Sequence, residues 1–167
     1  GNALFEGDFD FKNMNEKIPD IYHKSKSFID NKKNPRIFKS HEHYNNELAK
    51  AKVIYIYRDP RDVVVSYYYW YKKFEPKKGK NFNAFFENFM KGKLTFGLWN
   101  QHVSRWKKAA INHPENIYII NYKDLKSNPF LNFKNILKFC NIDCNDEKVQ
   151  LSIDKSSFKS MKKKEEE

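Results

Sequence analysis

Apolar positions along this chain fall into two kinds of run. Val53-Ile54-Tyr55-Ile56-Tyr57 is a continuous β-branched and aromatic run, the pattern of a strand covered on both faces. It stops at Arg58-Asp59-Pro60, where Asp59 can cap a helix and Pro60 can occupy its first position. A helix is therefore expected to about Phe74, ahead of Pro76 and Gly79. Phe82, Phe85, Phe86 and Phe89 recur at i, i+3, i+4 and i+7. That spacing predicts a second helix with one aromatic face directed into the core, ended by Gly92. A third helix is expected over about Phe96 to Ile111, burying Trp99, Val103, Trp106 and Ala110 before His113-Pro114 stops it. Asn116 to Ile120 reads as another buried strand, and Asn128-Pro129 opens a fourth helix that turns Phe130, Phe133, Ile136, Leu137 and Cys140 inward. Arg36 to Lys39 is a short strand candidate, followed by a polar turn from Ser40 to Asn46. Residues 1–34 hold scattered aromatics without a sustained period and read as loop with a short helix.

Strands alternating with helices imply an α/β fold, a parallel sheet with helices on its faces. A length of 167 residues calls for no more than one domain. No internal repeat is visible, and only the terminal KKKEEE run is of low complexity. With 15 Phe, 10 Tyr and 3 Trp there is apolar surface enough to offset chain entropy, so most of the chain is expected to fold.

Charge narrows the ligand. Lys and Arg number 32 against 21 Asp and Glu, a formal net charge of +11, which favours anionic ligands of any kind. The charge is spread through helices and loops with no basic stripe or recognition motif, so a small anion in one site fits better than nucleic acid. Cys140 and Cys144 have no partner pair elsewhere and read as free thiols of a reducing compartment. No stretch approaches the roughly 18 apolar residues that span a bilayer, so no membrane partner is expected.

In open parallel sheets ligands lie beyond the carboxyl ends of the strands. Three groups fall there: Lys39-Ser40-His41, Arg58 with the following helix up to Ser66, and Tyr122. Arg58 sits where a strand meets a helix N-terminus, so its guanidinium and the helix dipole can share one phosphate. An ordinary Arg58–Asp62 ion pair at a helix end would place the same residues alike. His41 and His43 invite a metal reading, but residues i and i+2 on a turn rarely converge on one ion and no carboxylate or cysteine motif completes a site. No metal is expected.

The segments PRIFKSH and VIYIYRDPRDVVVSYYYWY closely resemble the cytosolic sulfotransferases, whose members carry a K-T-H or K-S-H triplet and then a strand ending in R-N/D-x-x-D-V-x-V-S-Y-Y. The resemblance continues through FFENFMKGKLTFGLWNQHVSRW, INYKDL and SSFKSM, covering roughly residues 35–162. It implies a P-loop-like sulfotransferase fold, here as one partial domain over residues 1–167. It also implies transfer of a sulfuryl group from 3′-phosphoadenosine 5′-phosphosulfate to the hydroxyl or amine of a small, hydrophobic acceptor, without a metal, in the cytoplasm.

Carried over by motif, His41 is the general base. Lys39 lies beside it to position the acceptor or neutralise developing charge, and Ser40 shares the acceptor side. Arg58 and Ser66 match the residues that hold the donor's 3′-phosphate, and Tyr122 matches a tyrosine near the adenine. Ser156, Ser157 and Phe158 match a T-S-F segment whose ring stacks on the base. Trp70 falls where the family lines its acceptor pocket, whereas Tyr67, Tyr68, Tyr69 and Tyr71 divide between that wall and plain packing. Nothing in residues 1–34 resembles the Y-P-K-S-G-T-T-W loop that cradles the 5′-phosphosulfate, and the C-terminal R-K-G segment is not matched. The chain is accordingly expected to be a central fragment. Homodimer formation belongs to the full-length protein, since the family's dimer motif lies in the part not matched. The alternative is a catalytically inactive nucleotide-binding or interaction fragment.

Overall fold

The computed structural model describes residues 14–21, 36–76, 81–157, 159–160 and 162. They form two compact units, one from residues 42–128 and one from residues 1–41 with 129–167.

The first unit is built on a parallel pair of strands, β1 (Val53–Tyr57) and β2 (Ile117–Asn121), in register from Val53↔Ile117 to Tyr57↔Asn121. Parallel strands need a long crossover, and α2 (Pro60–Phe74), α3 (Phe82–Met90) and α4 (Trp99–Asn112) supply it. The fold is thus α/β, a parallel sheet flanked by helices, as the alternating pattern predicts. Trp106 and Ala109 of α4 are buried against Ile117 of β2, with Val53 and Tyr55 of β1 packed around them. A second cluster joins α2 to α3 through Val64, Tyr71, Phe85 and Phe89.

Helix starts follow the sequence closely. Asp59 caps α2 by accepting from the Arg61 amide at 2.9 Å, and Asn81 caps α3 by accepting from Ala84 at 3.2 Å. Gly92 ends the last turn after α3 at φ +67°, where a Cβ would stand 2.7 Å from Leu98 Cγ, so only glycine fits there without a shift.

Some expectations are corrected. The aromatic face of α3 is narrower than its spacing suggests. Phe85 and Phe89 are buried against α2, but Phe82 and Phe86 are 39% and 42% exposed, because one neighbouring helix covers only an i, i+4 stripe. Helix α4 begins at Trp99 instead of Phe96, since Gly97 at φ +65° breaks the chain before it. Its inward small residue is Ala109, with Ala110 half-buried.

In the other unit, after the short helix α1 (Met14–Lys17), the strand candidate at 36–39 is reduced to one parallel bridge, Asp20↔Lys39. Two hydrogen bonds make it, Lys39 N–H to Pro19 C=O at 3.1 Å and Ile21 N–H to Lys39 C=O at 3.0 Å. Proline, with no N–H of its own, does not extend such a ladder. Helices α6 (Pro129–Phe139) and α7 (Asp146–Lys155) pack through Leu137 and Val149, with Phe130, Phe133 and Ile153 around them. Helix α7 has no counterpart among the periodic segments; Asn145 caps it by accepting from Lys148 N–H at 2.9 Å. Between β2 and α6 the first unit adds a six-residue helix, α5 (Tyr122–Ser127).

Candidate functional site

Register alone brings two candidate residues together. Tyr57 and Asn121 are paired at the carboxyl ends of the parallel strands, so the next residues, Arg58 and Tyr122, leave the sheet side by side. The Arg58 guanidinium lies over the Tyr122 ring, 4.9 Å from its centroid, a cation–π contact. Its Nε donates to Asp62 Oδ2 at 3.0 Å, one turn into α2. The Arg58–Asp62 pair weighed from sequence is therefore present, and it does not consume the guanidinium. Among the described residues neither terminal nitrogen of Arg58 makes a hydrogen bond. A ring beneath and a carboxylate at Nε hold the fork in one orientation, with side-chain exposure of 44% on Arg58.

The helix N-terminus contributes less than its dipole suggests. Asp59 takes its first-turn amides: its side chain accepts from Arg61 N–H, and its carbonyl accepts from the amides of Asp62 and Val63 at 3.1 and 3.0 Å. The Arg61 guanidinium also forks onto Asp59, with Nε to Oδ1 at 2.9 Å and Nη2 to Oδ2 at 2.7 Å. These side-chain and backbone hydrogen bonds from Arg61 hold the Asp59 carboxyl down at about 2, and the pairing raises the Arg61 guanidinium further. An anion at this strand end would meet the Arg58 fork before any helix amide.

Asp62, Ser66 and Trp70 follow at i+4 intervals along α2 and share one face. Ser66 is exposed. Trp70 is 47% exposed and Phe74 60%, their rings 5.4 Å apart, making an open aromatic wall. Of the neighbouring tyrosines, Tyr71 is buried and Tyr67 and Tyr68 pack with it around Phe85, while Tyr69 is 62% exposed. Burial, helped by a hydrogen bond with Tyr71, pushes the Tyr67 hydroxyl well above its ordinary value. Packing accounts for three of the four.

The other unit carries the K-S-H triplet. Lys39 is held by its backbone bridge to Pro19–Ile21, and Ser40 and His41 follow as exposed residues. The His41 imidazole is 60% exposed, with Nε2 3.7 Å from Asp20 Oδ2. Asp20, whose side chain is only 14% exposed, was not foreseen. It lies 21 positions upstream in a segment without periodicity, and only the bridge at Lys39 brings it near. Ser156 and Ser157 close α7: the Ser156 amide donates back to Ser152 C=O, and Ser157 Oγ accepts from Ser160 N–H at 3.3 Å. Phe158 lies outside the described residues. Among the described residues no group of three or more His, Cys, Asp or Glu is placed to hold a metal ion, and no helix is long and apolar enough to cross a membrane.

A family model of the sulfotransferase domain matches residues 8–167. Mouse sulfotransferase 1A1 is 44% identical over 115 residues, 68% of this chain and 38% of that protein. Mouse sulfotransferase 1 family member D1 is 35% identical over 144 residues, 80% of this chain and 47% of the relative. The crystal structure of mouse sulfotransferase SULT7A1 complexed with PAP matches the fold with a TM-score of 0.65 at 29% identity, covering 75% of this chain and 46% of that one. The chain spans less than half the length of each of these three.

Proposed function

Because the chain belongs to the sulfotransferase domain family, we propose that it serves the transfer of a sulfuryl group from 3′-phosphoadenosine 5′-phosphosulfate to the hydroxyl or amine of a small hydrophobic acceptor. The observation that carries this reading is the Arg58 fork. It is pinned by Asp62 and Tyr122 at the strand ends, and its terminal nitrogens make no hydrogen bond among the described residues. A fixed guanidinium fork matches the geometry of a phosphate. That a relative is complexed with PAP supports a nucleotide bearing a 3′-phosphate as its ligand.

The residues divide the work as follows. Arg58 grips the 3′-phosphate and Ser66 adds a hydroxyl donor. Tyr122 flanks the adenine, and Ser156, Ser157 and Phe158 close on the base. The donor, when bound, supplies the sulfuryl group. His41 removes the proton as the acceptor's oxygen or nitrogen bonds to sulfur and the bond from sulfur to the 5′-phosphate oxygen breaks. Lys39, with Ser40, neutralises charge that develops on the transferring group. Trp70 offers an aromatic wall suited to a phenol or another apolar alcohol. The reaction so proposed needs no metal and runs in the cytoplasm.

The test is transfer of labelled sulfate from the donor to a panel of phenols and alcohols, by the wild-type protein and by His41→Ala. Loss of turnover in the variant with PAP affinity unchanged supports the base assignment. Near-normal turnover overturns it. PAP binding by a protein that transfers nothing would assign it the nucleotide-binding role alone.

A further inference from the structure

A cavity of about 400 Å³ opens beside the α2–α3 core, lined by Tyr71 of α2, Phe85 and Asn88 of α3, and Lys93, Leu94 and Thr95 of the loop that leads to α4. Its floor is aromatic and fixed. Tyr71 and Phe85 are each 2% exposed, with ring centroids 5.3 Å apart. The Tyr71 hydroxyl is tied to Thr95 Oγ1 at 3.0 Å, which holds the loop against α2. Backbone hydrogen bonds fix the rest of the rim: Gly92 N–H donates to Phe89 C=O at 3.1 Å, Lys93 N–H to Asn88 C=O at 2.9 Å and Gly97 N–H to Leu94 C=O at 3.0 Å. The cavity is therefore preformed, and its size suits one small molecule.

The lining decides the chemistry. Among the described residues no carboxylate lines the cavity, and the Lys93 ammonium, the Asn88 amide and the Thr95 hydroxyl all bring donors to it. Lys93 and Asn88 are exposed, and among the described residues the Lys93 ammonium makes no ion pair and the Asn88 side-chain amide no hydrogen bond. Glu87, the carboxylate of α3, is engaged by Lys91 at 3.0 Å. A cation at the mouth of an aromatic pocket matches a flat apolar body that carries a negative charge at one edge. One ammonium balances one charge, whereas a dianionic phosphate would find no second cation in this lining.

We propose that this cavity binds a small aromatic monoanion of the arenecarboxylate class, its ring against Tyr71 and Phe85 and its carboxylate held by Lys93 and Asn88. The site is separate from the Arg58 fork and from the Trp70–Phe74 wall, since none of those three residues lines it. Cavity and wall adjoin through Tyr71, whose ring stands 5.3 Å from that of Trp70. The buried rings supply most of the affinity, because a solvent-exposed charge pair adds little.

The experiment is a nuclear magnetic resonance titration of the full 167-residue chain with 2-naphthoate, and with 2-naphthamide as its uncharged counterpart, read at the Asn88 side-chain amide and the Thr95 methyl group. Both signals should shift saturably with 2-naphthoate. Lys93→Met keeps an apolar stem and removes the charge. It should raise the half-saturating concentration of 2-naphthoate about threefold to fivefold, the scale of one exposed charge pair, and leave that of 2-naphthamide almost unchanged. The proposal is overturned by the absence of a saturable shift at Asn88 and Thr95, by shifts confined to the surroundings of Arg58 or Trp70, or by an equal half-saturating concentration of 2-naphthoate in both proteins.

Discussion

Phe85 and Phe86 are adjacent on α3 and chemically identical, yet the structure assigns them opposite energetic roles. Phe85 is 2% exposed and its ring lies 5.3 to 5.7 Å from those of Tyr67, Tyr68 and Tyr71. Phe86 is 42% exposed and its ring meets Phe82 at 6.1 Å. Truncating a buried Phe to Ala costs about 3–5 kcal/mol, because lost transfer energy is joined by a cavity. Three T-shaped or tilted ring contacts, each worth about 0.5–1.5 kcal/mol, place Phe85→Ala at the upper end of that range. Phe86→Ala removes a half-exposed ring and leaves no cavity, so about 1 kcal/mol or less is expected. For a chain of this length about 1 kcal/mol shifts the thermal midpoint by roughly 2–4 °C. Urea unfolding followed by circular dichroism, with the midpoint compared at constant m-value, gives both numbers for the same helix. Equal losses for the two variants would refute the orientation of α3 and with it the α2–α3 core.

Two further predictions concern titrating groups. Asp59, held at about 2 by Arg61, contributes stability that is complete above the ordinary carboxylate range and is lost as pH falls from about 4 towards 2. Asp59→Asn should keep the cap on α2 and flatten that acid limb, and a pH-dependent melting series would show it. Tyr55 behaves in the opposite sense. Its hydroxyl is raised to about 12, so the unfolded chain ionises first and stability is lost as pH rises from about 10 towards 12. Tyr55→Phe should reduce that alkaline loss, and ultraviolet difference titration should show late-ionising tyrosines in the wild type, with the Tyr55 contribution missing from the variant and that of Tyr67 kept.

Legibility from sequence followed local physics. The β1 run, the Asp59 cap, Pro60 at the first helical position and Gly92 at positive φ are each decided by a few neighbouring residues, and the structure places them as expected. Arg58 and Tyr122 were legible separately, as residues at strand ends. Their stacking required the parallel register of β1 on β2, which no local pattern encodes. Burial along α3 was overestimated because periodicity says which side chains share a face and not how wide a face the neighbour covers. Asp20 beside His41 depends on one bridge between segments 19 residues apart, and α7 carries its inward Val149, Ser152 and Ile153 in a polar context. Neither leaves an apolar rhythm to read.

The claim at the centre of this account is that the Arg58 fork, braced by Asp62 and Tyr122, recognises a 3′-phosphate. Calorimetric titration of wild type and Arg58→Ala with PAP and with adenosine 5′-monophosphate tests it most directly. A charge-assisted hydrogen bond contributes about 1.5–3 kcal/mol, so the variant should bind PAP about tenfold to a hundredfold more weakly and the monophosphate almost as well as wild type. Equal losses for both nucleotides, or unchanged affinity for PAP, would contradict the assignment.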